Sequence, residues 1–286
     1  MAAPAAVPGR TASAPSNDIR LESDMSDQQL PADLGLTRDG HVAIVEIRRP
    51  PHNFFDLPLI RNIADLFDRL SADDSVRSIV LCAEGTAFCA GADFNNRERS
   101  VVPGAEQKSN PLYDEAVRIF GCTKPVVAAV QGPAIGGGLG LAVSADFRVT
   151  CKEAKYSANF ARLGFHPGFG LSVTLPRLVG AQMAAMLMYT GRRIDGEEAV
   201  RIGLADVLVP LDQVRAKAVE LAREIAVSAP IAVQSTRATL REGLAEAVRI
   251  ATAHEGAEQV KHWRTEDFKE GVAAMTARRQ PEFKGR

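Results

Sequence analysis

Long apolar runs are missing from this sequence: none approaches the ~20 residues that a helix needs to cross a bilayer. The first thirty residues also lack the apolar segment of a secretory signal. Cysteine is scarce, and Cys82, Cys89, Cys122 and Cys151 show neither CxxC pairing nor metal-ligand spacing. They read as small buried hydrophobes of a reducing compartment, and a cytoplasmic location is expected. The net charge of −1 gives no reason to expect nucleic acid or an acidic membrane as partner. No Gly-rich run precedes Lys-Ser/Thr, which excludes a P-loop, and GGGLGLA lacks the spacing and downstream acid of a dinucleotide fingerprint. What remains is a globular chain of 286 residues, 46% hydrophobic and 24% charged, able to bury one large core.

Residues 1–30 are rich in Ala, Pro and Ser without apolar periodicity and read as a disordered tail, with Met25 as an alternative start. Beyond them, residues 41–47 (HVAIVEI) alternate as a strand does, and 57–70 carry apolar residues at helical spacing. Residues 76–82 and 125–130 are continuous apolar runs, as in strands buried on both faces. Helices are expected over 112–120 and 136–145, and short strands over 147–150 and 154–157. Strand and helix alternate through residues 31–210, which predicts an α/β core of stacked ββα or βαβ units. Residues 211–286 read as helix only, and no internal repeat is evident.

Two glycine-rich turns stand out: FCAGAD at 88–93, and the triplet inside KPVVAAVQGPAIGGGLGLAVSAD at 124–146. Each leads toward a helix and can aim main-chain N–H groups at one point, an arrangement that stabilises a developing oxyanion. Glycine at 91 and 136–138 lets a ligand approach without a Cβ in the way. Together the two stretches resemble the crotonase (enoyl-CoA hydratase/isomerase) superfamily, over roughly residues 36–284. The resemblance implies a spiral of ββα repeats with a C-terminal helical trimerisation region, assembled as a homotrimer or hexamer. It implies an acyl-CoA thioester as substrate, with coenzyme A part of that substrate and no separate cofactor or metal. It implies Ala92 and Gly137 as the two oxyanion donors.

One departure from the family pattern is specific. Its hydratases commonly use two glutamates twenty residues apart, and the matching positions here are Gly140 and Phe160, neither of which can move a proton. His166, just before a Pro-Gly in the loop bordering the acyl pocket, is the first candidate substitute, since imidazole titrates near neutrality. Asp93 reads as a residue that orders its turn, and Asp146 as structural. Arg97 could meet a substrate carboxylate, and Tyr113 could donate a proton from the roof of the pocket. For coenzyme A, the resemblance points to His52 and Asn53 in the loop facing the pantetheine arm. It also points to Trp263 as a cover and to Lys284, with Arg278 and Arg279 nearby, for a phosphate. The expected function is acyl-CoA chemistry through a thioester enolate. Without the glutamates, decarboxylation or carbon–carbon cleavage is favoured over hydration or isomerisation through substitute residues. A non-catalytic acyl-CoA-binding homologue is the rival from a different class.

Overall fold

The computed structural model describes residues 30–94 and 110–286. The expected tail and Arg97 lie outside the described residues. The chain begins with an antiparallel pair, β1 (Leu34–Asp39) and β2 (Val42–Ile47). Helix α1 (Leu57–Ala72) follows, started by Asp56, whose carboxylate accepts the Leu59 N–H at 2.9 Å. Its apolar face buries Leu59, Ile63, Leu66, Phe67 and Leu70 against the sheet and its neighbours. Strand β3 (Ser78–Ala83), helix α2 (Pro111–Phe120) and strand β4 (Val126–Val130) come next. β3 and β4 are apolar on both faces because they lie inside a parallel sheet covered on each side.

After β4 the chain places β5 (Ala134–Ile135), the short buried helix α3 (Gly137–Ser144), β6 (Phe147–Thr150) and β7 (Lys155–Ser157). Helices α4 (Leu171–Val179) and α5 (Ala181–Thr190), strand β8 (Ile194–Asp195), helix α6 (Gly196–Arg201) and strand β9 (Val207–Leu208) complete the alternating part. The main sheet has the order β1-β2-β3-β4-β6-β9, parallel from β2 onward. A second sheet, β5-β7-β8, stands apart from it and carries the candidate site. The fold is the crotonase-like α/β architecture that the sequence implied.

Four helices close the chain: α7 (Val214–Ala226), α8 (Pro230–Leu240), α9 (Leu244–His262) and α10 (Glu266–Thr276). α7 packs on β3, β4 and β6, with Ser78 Oγ donating to the Ala222 carbonyl at 2.8 Å. A division after residue 210 therefore does not separate α7 from the core. Asp146 is structural: it accepts the Val126 N–H at 2.8 Å and pairs with Arg237 of α8 and with Arg241. All four cysteines are free and buried. Burial pushes the Cys82 and Cys89 thiols up to about 12. No helix among the described residues is long and apolar enough to cross a membrane.

Candidate active site

Three short segments of backbone, the third containing β5, lie side by side and build one wall of the site. Ala90 N–H donates to the His52 carbonyl, and Phe55 N–H to that of Gly91. On the other side, Cys89 N–H donates to Pro133 O at 2.9 Å and Ile135 N–H to Cys89 O at 3.0 Å. The Cys89↔Ala134 bridge is parallel, so both chains leave it in the same direction. Ala92 and Gly137 each lie three residues beyond it. Both residues therefore lie on the same side of the bridge, on neighbouring chains. Gly91, at φ 93°, is required: a Cβ there would lie 2.8 Å from the Ile135 carbonyl oxygen.

Gly137 is the first residue of α3, where the helix supplies no acceptor for the N–H. Among the described residues neither the Gly137 nor the Ala92 N–H has a hydrogen-bond partner. Both residues line a cavity of about 300 Å³. Two unsatisfied main-chain donors at one cavity, one of them at the positive end of a buried helix, can stabilise an oxyanion.

The two positions matching the family's glutamates are filled rather than vacant. A Cβ at Gly140 would lie 2.6 Å from Phe169 Cβ and 2.7 Å from its Cδ1, so the Phe169 side chain occupies that space. Phe169 is buried at φ 62°, and its ring lies 5.9 Å from that of Phe55, which in turn covers Gly137. Phe160 is buried edge-on against Phe165 at 5.4 Å.

Of the candidate acid–base residues, His166 does not line the cavity. Its Nδ1–H donates to the Pro167 carbonyl at 2.8 Å, and its ring packs against those of His254 and His262. The backbone around Pro167 turns the imidazole toward α9, which sequence position alone does not reveal. Tyr113 does line the cavity, but its hydroxyl donates to Gln259 Oε1 at 2.8 Å and burial pushes the phenol far up. Asp93 is half-buried and is the one carboxylate lining the cavity among the described residues.

The coenzyme A candidates also redistribute. Asn53 is fully buried and its amide is consumed locally: Nδ2 donates to Glu84 O and Ala87 O, and Oδ1 accepts the Arg49 N–H. Its backbone sits at φ 50°, and it lies outside the cavity lining. His52 is exposed and lies outside the cavity lining, its ring tilted against that of Phe54 at 5.1 Å. Lys284 pairs with Glu266, and Arg279 with Glu270, around a separate cleft. Arg278 is exposed and lines neither. Trp263 does line the cavity, and its buried Nε1–H has no partner among the described residues.

Two cations that no motif singles out line the cavity instead, Lys155 and Arg193. The β7–β8 register pairs Lys155 with Asp195, so Arg193 falls opposite Ser157 and on the same face as Lys155. Pro133 and Ile135 continue that face on the β5 side and also line the cavity. Neither cation forms an ion pair among the described residues. No cluster of His, Cys, Asp or Glu among the described residues is placed to hold a metal ion.

Known proteins share this fold. The family profile described as enoyl-CoA hydratase/isomerase matches residues 37–286. The enoyl-CoA hydratase EchA19 of Mycobacterium tuberculosis is 33% identical over 258 residues, 87% of this chain and 95% of its own. The short-chain-enoyl-CoA hydratase of Clostridium acetobutylicum is 33% identical over 256 residues, 88% of this chain and 97% of its own. The crystal structure of an enoyl-CoA hydratase/isomerase from Pseudoalteromonas atlantica T6c matches with a TM-score of 0.79 at 30% identity, covering 88% of this chain and 100% of that one. Fold and likeness together define a crotonase-superfamily protein. The chain belongs to the enoyl-CoA hydratase/isomerase family. These names are those of hydratases and isomerases, and the preference for carbon–carbon cleavage gains no support from them.

Proposed function

We propose that this chain processes an acyl-CoA thioester whose carbonyl oxygen sits between the N–H groups of Ala92 and Gly137, in a hydratase/isomerase-type reaction run by one carboxylate, Asp93. The observation that supports the reading is a pair of residues, Ala92 and Gly137, whose N–H groups have no partner among the described residues and which line one cavity, each three residues beyond the Cys89↔Ala134 bridge. The two donors stabilise the enolate that forms when a proton leaves or joins the α-carbon, and they act only as charge develops. Two-carboxylate hydration is unavailable, because positions 140 and 160 hold glycine and phenylalanine. Asp93, next to a donor, takes a proton from one carbon of the acyl group and returns it to another, or takes one from water adding to the β-carbon and delivers it to the α-carbon. Tyr113, held protonated and engaged by Gln259, positions rather than titrates. Lys155 and Arg193 supply positive charge for the phosphates of coenzyme A, with Trp263 over the pantetheine arm. Lys284 would serve a phosphate only from a neighbouring subunit of a homotrimer or hexamer. Such an assembly would cover Ile231 and Leu240, apolar residues of α8 left 84% and 72% exposed.

Carbon–carbon cleavage is the second reading, favoured by the aromatic and glycine occupants of the acid positions: bond breaking then creates the enolate without a protein base. Purified protein assayed on 2-enoyl-, 3-enoyl-, malonyl- and β-keto-CoA esters separates the two. Turnover of an enoyl ester that falls about 10²-fold or more in Asp93→Asn supports the one-carboxylate reaction. Turnover confined to malonyl or β-keto esters and indifferent to Asp93→Asn supports cleavage. Tight coenzyme A binding with no turnover of any ester would leave a binding protein.

A further inference from the structure

The cavity wall is unusually rich in rings. Seven of the twenty-four described residues that line it are aromatic, against 6% of the whole chain. They fall into two groups. Phe55 and Phe169 lie over the turn that carries Gly137 and Gly140, with ring centroids 5.9 Å apart. Phe94, Phe165 and Trp263 form the other group, with Phe94 edge-on to Phe165 at 5.8 Å and Trp263 tilted against Phe165 at 6.4 Å. Phe54 and Tyr113 complete the seven. The rings meet at steep angles, 59° and 71° for the two phenylalanine pairs. Aromatic rings bind one another in that offset or edge-to-face manner, through the negative face and positive edge of each. A flat conjugated acyl group lying in a cavity lined by these rings would meet several of them, whereas a short linear chain would touch few.

We infer that the acyl group is a planar aryl or aryl-conjugated one, and that Phe169, seated in the space left by Gly140, is the residue that sets this preference. The inference deepens the proposed function and rests on its oxyanion site: the thioester oxygen at Ala92 and Gly137 directs the acyl group toward the rings. Phe169 is well suited to the role. It is 1% exposed, its backbone is held at φ 62°, and its Cβ and ring fill the volume beside position 140. Any side chain at 140 would displace it.

The test is calorimetric titration of the intact protein with free coenzyme A, crotonyl-CoA and 3-phenylpropenoyl-CoA. The aryl ester should bind about tenfold or more tightly than crotonyl-CoA. In Phe169→Leu that ratio should fall to about threefold or less. Phe165→Leu carries the same test should Phe169→Leu melt before it can be titrated. Equal affinity for the two esters, both tighter than free coenzyme A, overturns the aryl preference alone and leaves the thioester reading standing. Esters no tighter than free coenzyme A overturn both. An aryl preference untouched by either leucine variant overturns the assignment to these rings.

Discussion

Replacement of Gly137 by proline isolates the main-chain donor on which the proposed chemistry depends. Position 137 is the first residue of α3, where proline is readily accepted because that N–H has no helical partner and the fixed φ suits the helix. Gly137 is not among the glycines at positive φ, so a substitution there meets no backbone strain. The obstacle is steric: a Cβ would lie 2.4 Å from Phe55 Cζ and 2.5 Å from its Cε1, both at the far end of a ring. The comparison is therefore made in a Phe55→Leu background, between Gly137→Ala and Gly137→Pro. Both add a Cβ, and only proline removes the N–H. Loss of one oxyanion donor lowers kcat by about 10²–10³, or about 2.7–4 kcal/mol of transition-state stabilisation. KM should change little, since the ground-state carbonyl draws on the donor weakly. Steady-state kinetics on the enoyl-CoA ester turned over fastest, with thermal melts to confirm folding, supply the numbers. If the proline and alanine variants turned over at the same rate, the Gly137 N–H would have no part in the reaction and the site would have to be sought elsewhere.

Gly140→Ala should destabilise the protein by about 1–3 kcal/mol through overpacking against Phe169. In a Phe169→Gly background, where glycine also suits φ 62°, the same alanine should cost almost nothing, and equal costs in the two backgrounds would contradict the packing described. Glu255 of α9 is fully buried and accepts hydrogen bonds from Gly170 N, Ser172 N and Ser172 Oγ at the start of α4. Burial outweighs those bonds and raises its carboxyl above the ordinary 4.5. The native state then holds the proton to higher pH than the unfolded chain, so stability falls as pH rises from 4.5 through the raised value. Melting temperatures across that window should decline for the parent and stay flatter for Glu255→Gln, which at low pH should itself be less stable by about 1–3 kcal/mol for the lost acceptor. Parallel profiles would show that Glu255 does not titrate there.

The glycine turns were legible in the sequence because their requirement is local. Gly91 and Gly136 need positive φ, at 93° and 57°, and a residue type announces that need directly. Helices α1 and α2 were legible from apolar spacing, and their caps Asp56 and Asn110 stand where the pattern begins. The two-residue strands β5, β8 and β9 were not, since so short an element exists only through its partner. The same limit hid Lys155 and Arg193, which share a face only once β7 and β8 are in register. It misled for His166, whose ring direction depends on α9 packing beneath the loop. Asn53 looked like a ligand-facing polar residue in a loop, but its conformation at φ 50° demanded three hydrogen bonds from its own side chain. Glu255 and Gln259 gave no signal either: α9 shows no apolar stripe against which a buried polar residue would stand out.

Loss of the two glutamates is therefore not the loss of a function from an otherwise unchanged pocket. Glycine at 140 is what admits Phe169, and phenylalanine at 160 packs on Phe165, so both positions back onto rings that line the cavity. Water is poorly held by such a surface, and a main-chain donor that does not compete with water binds an oxyanion more strongly. Asp93 is the one carboxylate lining the cavity among the described residues, beside one of the two donors. Restoring glutamate at 140 alone would bury a charge against a phenyl ring and strain the packing at once. A hydratase-like pair could be regained only by removing Phe169 and Phe160 together with the substitution at Gly140, so the three positions constrain one another as a unit.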